Sequence, residues 1–260
     1  MNDVNILKNN GVDLESSLEL LGDIETYDEV LAEYINSISS KVNDLNKFRK
    51  EKDMANYAIS VHSLKSDSKY LGFTHLAQLA LNHEMESKNN NQEYVEEHFE
   101  ELFLEIKRVV NVALDYIKTV DVKEDVKESN KEEVVDNRDS ILVVDDSDMV
   151  LNFISKVFND TFNVILASDG NKAINELSKN NNIKGILLDL NMPNVNGFEV
   201  LNYLKANDLF VKYPVSIITG ADDKDTITKA FNYQIVDMLQ KPFNERDVKR
   251  IVERTISYGK

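Results

Sequence analysis

Two periodicities divide the chain. Up to about residue 118 the apolar positions recur every three to four residues, the spacing of helices with one buried face. This pattern predicts helices near 13–21, 27–50, 53–70, 73–88 and 92–118. In the third of these, Tyr57, Val61, Leu64, Ser68 and Leu71 share one side, and His62, Lys65, Ser66 and Lys69 share another. From residue 140 the rhythm changes to short runs of aliphatic residues: ILVVD (141–145), NVILAS (163–168), GILLDL (185–190), PVSIITG (214–220) and VDMLQK (236–241). Amphipathic helical segments near 148–159, 170–180, 197–206, 223–233 and 245–257 separate and follow them. Five strands alternating with five helices imply a parallel sheet covered on both faces.

The punctuating residues place the same boundary. Pro193, Pro214 and Pro242 all lie in the second half, and only Gly11, Gly22 and Gly72 precede residue 139. A proline-free, glycine-poor first half reads as a helical bundle. Between the halves, residues 119–139 are densely charged and lack an apolar face, as expected of a linker with some helical extension. The expected organisation is therefore a bundle over 1–118, a charged linker over 119–139, and an α/β domain over 140–260.

At 260 residues, 42% hydrophobic and 29% charged, the chain suffices for two domains with real cores. A net charge of −16 argues against a nucleic-acid partner. Residues 1–118 carry 12 basic and 22 acidic side chains, a balance of −10, whereas 140–260 carry 14 and 16, a balance of −2. The chain has no cysteine, which excludes disulfides, thiolate catalysis and thiolate-bound zinc. No run reaches the length of a membrane span, and MNDVNILKNNGVD lacks a secretory pattern, so a cytoplasmic protein without membrane attachment is expected.

Chemistry enters at the ends of the predicted strands, where open parallel sheets place their working residues. The first ends at Asp145 and Asp146, the third at Asp189, the fourth at Thr219 and the fifth at Lys241. An acid at a strand end often only caps the next helix, as Asp146 or Ser147 can here, and a Lys-Pro pair is often only a turn. The coincidence of all four strand ends is harder to explain that way. Three converging carboxylates need a cation, and an all-oxygen site suits Mg²⁺. A hydroxyl and an ammonium beside them can hold phosphoryl oxygens, which points to a carboxylate nucleophile in metal-assisted phosphoryl chemistry.

Residues 140–258 resemble the receiver domains of two-component response regulators, through ILVVDDS, LLDLNMPNVNGFEVL, PVSIITG and LQKPF. The resemblance implies a flavodoxin-like fold with strand order 2-1-3-4-5 and Asp189 as phospho-acceptor. It implies Mg²⁺ held by Asp145, Asp146, Asp189 and the backbone carbonyl of Asn191, phosphoryl oxygens held by Thr219 and Lys241, and a Lys241–Pro242 bond that is often cis. Met238 departs from the family, which usually carries an aromatic residue there as part of its switch.

On the helical half, a phosphorylated His62 would have Lys65 one turn away to offset its charge, and Ser66 is small enough to admit an acceptor carboxylate. His75, His83 and His98 lack this company and read as surface or packing residues. The motif HSLKS with Gly72 six residues on, together with the opening GVDLESSLELLGDIETYDEVLAEYI, makes residues 11–118 similar to histidine-containing phosphotransfer (HPt) domains. That resemblance implies a four-helix bundle with His62 as an exposed phospho-acceptor.

The joint expectation is a phosphorelay protein carrying phosphoryl groups on His62 and Asp189. It contains neither G-x-G-x-x-G nor G-x-x-x-x-G-K-[ST], so phosphate is expected from a separate sensor histidine kinase or another receiver or HPt protein. No output domain is expected after residue 260. The alternatives are a protein-interaction module, gated by phosphate or independent of it, an aspartate phosphatase, and a sensor-kinase dimerisation domain. Asn191 stands where a phosphatase needs a second acid. Transfer within one chain and exchange with outside partners both stay open, since the acidic bundle offers no obvious steering toward a near-neutral receiver.

Overall fold

Four helices of the first half begin where a short acid or amide side chain replaces the missing backbone acceptor. In this computed structural model, which describes residues 3–118, 138–179, 182–192, 195–220 and 224–258, Asp13, Asp23, Asp53 and Asn91 cap α2 (Leu14–Leu21), α3 (Ile24–Glu51), α4 (Met54–Tyr70) and α6 (Gln92–Ile117). With α5 (Thr74–Lys88), helices α3, α4 and α6 form the bundle. A short α1 (Asn5–Asn9) packs against α6. Sequence periodicity could not reveal α1, because it buries only Leu7. Gly72 closes the turn between α4 and α5 at φ +72°, and a Cβ there would stand 2.4 Å from the Asp13 carbonyl oxygen. Only glycine meets both demands.

The second half holds β1 (Ser140–Val144), α7 (Asp148–Phe158), β2 (Asn163–Ala167), α8 (Gly170–Lys179), β3 (Ile183–Leu188), α9 (Gly197–Ala206), β4 (Val215–Thr219), α10 (Lys224–Ala230), β5 (Ile235–Gln240) and α11 (Glu245–Ser257). All strand pairings are parallel, in the order β2-β1-β3-β4-β5. Central strands β1 and β4 are buried throughout, as helices on both faces require. Lys241–Pro242 is cis. The linker expected over 119–139 lies outside the described residues except at Arg138 and Asp139, as does Pro193.

The two halves are not separate bodies. One buried apolar cluster runs from Leu31, Tyr34 and Leu64 of the bundle into Met149, Phe153, Phe243 and Val248 of the α/β half. A second cluster, with Leu142, Ile186, Val200 and Ile217, fills the other face of the sheet. Helix α3 packs on α7, and the ring of Tyr70 meets that of Phe243 edge-on at 5.9 Å.

Candidate functional site

The sheet turns the ends of β1, β3, β4 and β5 to one rim. Asp145 follows β1 with its N–H bonded to the Ala167 carbonyl, and Asp189 follows β3 with its N–H bonded to the Val144 carbonyl. Their carboxylates and that of Asp146 offer ligand atoms within 4.8 Å of one another. Lys241 reaches in from the end of β5, with Nζ 2.6 Å from Oδ2 of Asp145 and 2.6 Å from Oδ2 of Asp189. It donates a hydrogen bond to Asp189, whereas Asp145 Oδ2 has the ionic contact but no aligned donor among the described residues. Thr219 is buried at the end of β4, and the Asn191 N–H donates to Asp189 Oδ1 at 3.1 Å.

Burial pushes the Asp145 carboxyl well above the usual range, with Lys241 opposing and Asp189 and Asp146 adding to the rise. Asp146 shifts the same way for the same first reason, then because of Asp189. Burial works against charge on Lys241 as well, but Asp145, Asp189 and Asp146 hold its ammonium firmly protonated. A pocket of hard oxygens short of positive charge, with one oxygen lacking an aligned donor, fits a divalent cation.

On α4, His62 Nδ1 lies 2.7 Å from Oε1 of Glu84, which extends from α5. Lys65 Nζ contacts the other oxygen, Oε2, at 2.7 Å, and Lys88 shares Oε1. Burial alone would raise the Glu84 carboxyl, but the hydrogen bond from His62 and then the Lys65 ammonium hold it well below the usual carboxylate range. An ionised carboxylate only accepts, so Nδ1 carries the proton and the lone pair stands on Nε2. That nitrogen is buried and has no hydrogen-bond partner among the described residues.

Nε2 points at the strand-end rim. A Cβ built on Gly220, the residue after Thr219, would stand 2.8 Å from His62 Nε2 and 3.2 Å from Ser66 Oγ. A cavity of about 370 Å³ beside this contact is lined by Ala58, His62, Glu84, Lys88 and Asn191. Around it, Ser147 Oγ donates to Asp67 Oδ1 at 2.8 Å, the Phe243 N–H donates to the Tyr70 hydroxyl at 3.1 Å, and Lys156 pairs with Glu29 at 2.7 Å. Residues 61–68 are consequently buried on every side of α4, between the bundle and the α/β half.

The structure brings Asp145, Asp146, Asp189, Thr219 and Lys241 to one rim, with Asn191 beside them. Two expectations change. His62 is not exposed: it is 3% accessible, because the α/β half lies over it. Lys65 is not held in reserve beside a bare imidazole, since it already serves Glu84. Of Asp146 and Ser147, the residue that caps α7 is Ser147, which accepts from the Val150 N–H. His83 is a packing residue, bonded to the Tyr57 hydroxyl and driven down to about 4 by burial. Glu84 went unrecognised in the sequence. Its signal was an acid four residues after Ala80 on the buried stripe of α5.

Residues 141–253 match the family described as Response regulator receiver domain, and residues 29–112 match the Hpt domain family. A chemotaxis protein CheY homolog of Campylobacter jejuni is 28% identical over 123 residues, 46% of this chain and 93% of that protein. A two-component response regulator of rice, Oryza sativa, is 28% identical over 117 residues, 45% of this chain and 89% of its own. The solved receiver domain from Clostridium thermocellum is 27% identical, covering 45% of this chain and 94% of that one, with a TM-score of 0.42. Receiver domains in general bind Mg²⁺ in an acidic pocket, and both domain types are phosphoryl carriers that work with histidine kinases and other relay proteins. Among the described residues no helix is long and apolar enough to cross a membrane. With an Hpt domain and a receiver domain in one polypeptide, the chain belongs to the two-component phosphorelay proteins.

Proposed function

We propose that a phosphoryl group passes between Asp189 and His62 of the same chain. The domains on this reading are 1–118 and 140–260, joined by 119–139. The observation that carries it is the buried Nε2 of His62, without a hydrogen-bond partner among the described residues, held against Gly220 at the rim where Asp189, Thr219 and Lys241 meet.

In the direction from aspartate to histidine, the Nε2 lone pair attacks phosphorus. A P–N bond forms as the P–O bond to Asp189 breaks, and Asp189 leaves as a carboxylate beside the Lys241 ammonium. No proton has to move. The positive charge that develops on the ring faces Glu84, which already holds the Nδ1 proton. Thr219 and Lys241 bind the phosphoryl oxygens, and Lys65 fixes Glu84. Asp145, Asp146, Asp189 and the Asn191 carbonyl would hold Mg²⁺, which when bound neutralises charge on the phosphoryl oxygens. Phosphate enters or leaves through a sensor histidine kinase or another relay protein, and on this reading the chain works in the cytoplasm.

The test loads Asp189 with acetyl phosphate and Mg²⁺ and follows base-stable label appearing on His62. Transfer in the wild-type chain should be independent of protein concentration. A mixture of His62→Gln and Asp189→Asn chains should transfer slowly and in proportion to concentration, and Asp189→Asn alone should not take label at the receiver. Equal rates in the mixture and the wild type would overturn intrachain transfer.

A further inference from the structure

The contact between the domains sets acid against acid. Asp67 of α4 is 1% accessible and lies at the receiver's acidic rim. Its Oδ1 accepts from Ser147 Oγ, and the Ser147 N–H donates to Asp145 Oδ1 at 3.0 Å. One serine thus separates the helical domain's acid from the pocket of Asp145, Asp146 and Asp189. Buried like charges at such range repel strongly unless a cation joins them.

That cation comes from the helical domain. Lys41 of α3 pairs with Asp67 Oδ2 and donates to Ser63 Oγ at 2.9 Å. Lys41 and Asp146 line one cavity of about 370 Å³ together with Ser63 and Asp148. Burial works against the charge of Lys41, but Asp67 and then Asp146 more than restore it. The two acids that act most strongly on its charge, Asp67 and Asp146, belong to different domains.

We infer that Lys41, Asp67 and Ser147 form a polar latch that seats the helical domain on its own receiver, with Lys41 as the positioning residue that makes the acidic contact possible. The latch deepens the relay reading, on which its transfer readout rests. Its effect on docking can be measured without any phosphate.

The test compares full-length wild type, Lys41→Met and Lys41→Met/Asp67→Asn. Amide hydrogen exchange in residues 61–68 reports docking, and acetyl phosphate loading followed by appearance of label on His62 reports transfer. Lys41→Met leaves Asp67 uncompensated, so docking-dependent protection and the transfer rate should each fall by about tenfold or more. Protection of α6, away from the receiver, should persist. The double variant removes the stranded charge and should recover most of both, and unchanged α6 protection throughout separates a role in docking from one inside the bundle. Unchanged exchange in Lys41→Met, loss of α6 protection with it, or a double variant as impaired as the single one would overturn the latch. If exchange follows the expected pattern but no label reaches His62 in the wild type, the latch stands and the relay reading fails.

Discussion

Gly220→Ala tests the closed arrangement with a single carbon. The three atoms nearest the added Cβ are His62 Nε2 at 2.8 Å, His62 Cε1 at 3.0 Å and Ser66 Oγ at 3.2 Å, all from the opposite domain. The first lies roughly 0.7 Å inside the lower end of comfortable heavy-atom contact, about 3.5 Å. His62 cannot swing aside cheaply, because Glu84 holds Nδ1 and the ring is buried. Overpacking of this kind costs about 1–3 kcal/mol, which would shift the closed-to-open ratio by about 5- to 150-fold. Hydrogen exchange in residues 61–68 should quicken by up to that factor, and transfer from Asp189 to His62 should slow in proportion to the closed population that is lost. Labelling of Asp189 by acetyl phosphate should survive, since the strain falls on the domain contact. Adding His62→Ala removes the ring that collides, so α4 protection should return in the double variant although transfer cannot. A Gly220→Ala chain with wild-type exchange and wild-type transfer would refute the reasoning.

Glu84→Gln should destabilise the chain by about 3 kcal/mol near neutral pH, because it strips a buried charge partner from Lys65. Glu84 has its folded value held below its ordinary 4.5, so its contribution is complete above about pH 4.5 and is lost as pH falls through the lower folded value. Denaturant unfolding across an acid pH series should therefore show the gap between wild type and variant closing below about pH 4.5, and a gap constant with pH would contradict the assignment. Tyr70→Phe orphans the buried Phe243 N–H at a cost of about 1 kcal/mol. It should open the domain contact by about fivefold by hydrogen exchange at Phe243, with no change there counting against that bond.

Much of this was legible because it is written in short range. The strand-end acids Asp145, Asp146 and Asp189 follow β-rich runs directly, so the sheet's topology alone carries them to one rim. The helices of the bundle announced themselves through periodicity. Glu84 was hidden because its meaning depends on α5 lying beside α4, a relation no local pattern encodes. The burial of His62 was hidden for a similar reason. A face of imidazole, ammonium and small hydroxyl groups reads as solvent-exposed until the surface that covers it is known. Even the long-range charge balance misled. It weighed whole domains, whereas the contact itself sets single side chains against each other, Lys156 beside Glu29 and Lys41 between Asp67 and Asp146.

The enclosure of α4 bears on which receivers can make use of His62. A foreign receiver can reach His62 only when the native one has lifted away, so its apparent dissociation constant is its intrinsic value divided by the open fraction. With one chain in a hundred open, a partner of micromolar intrinsic strength behaves as one of about 100 μM. The resident receiver meanwhile is part of the same polypeptide and cannot be diluted. Such a chain screens out casual encounters by competition alone, without a repulsive surface aimed at any particular rival, and the stability of the domain contact sets how selective that screen is.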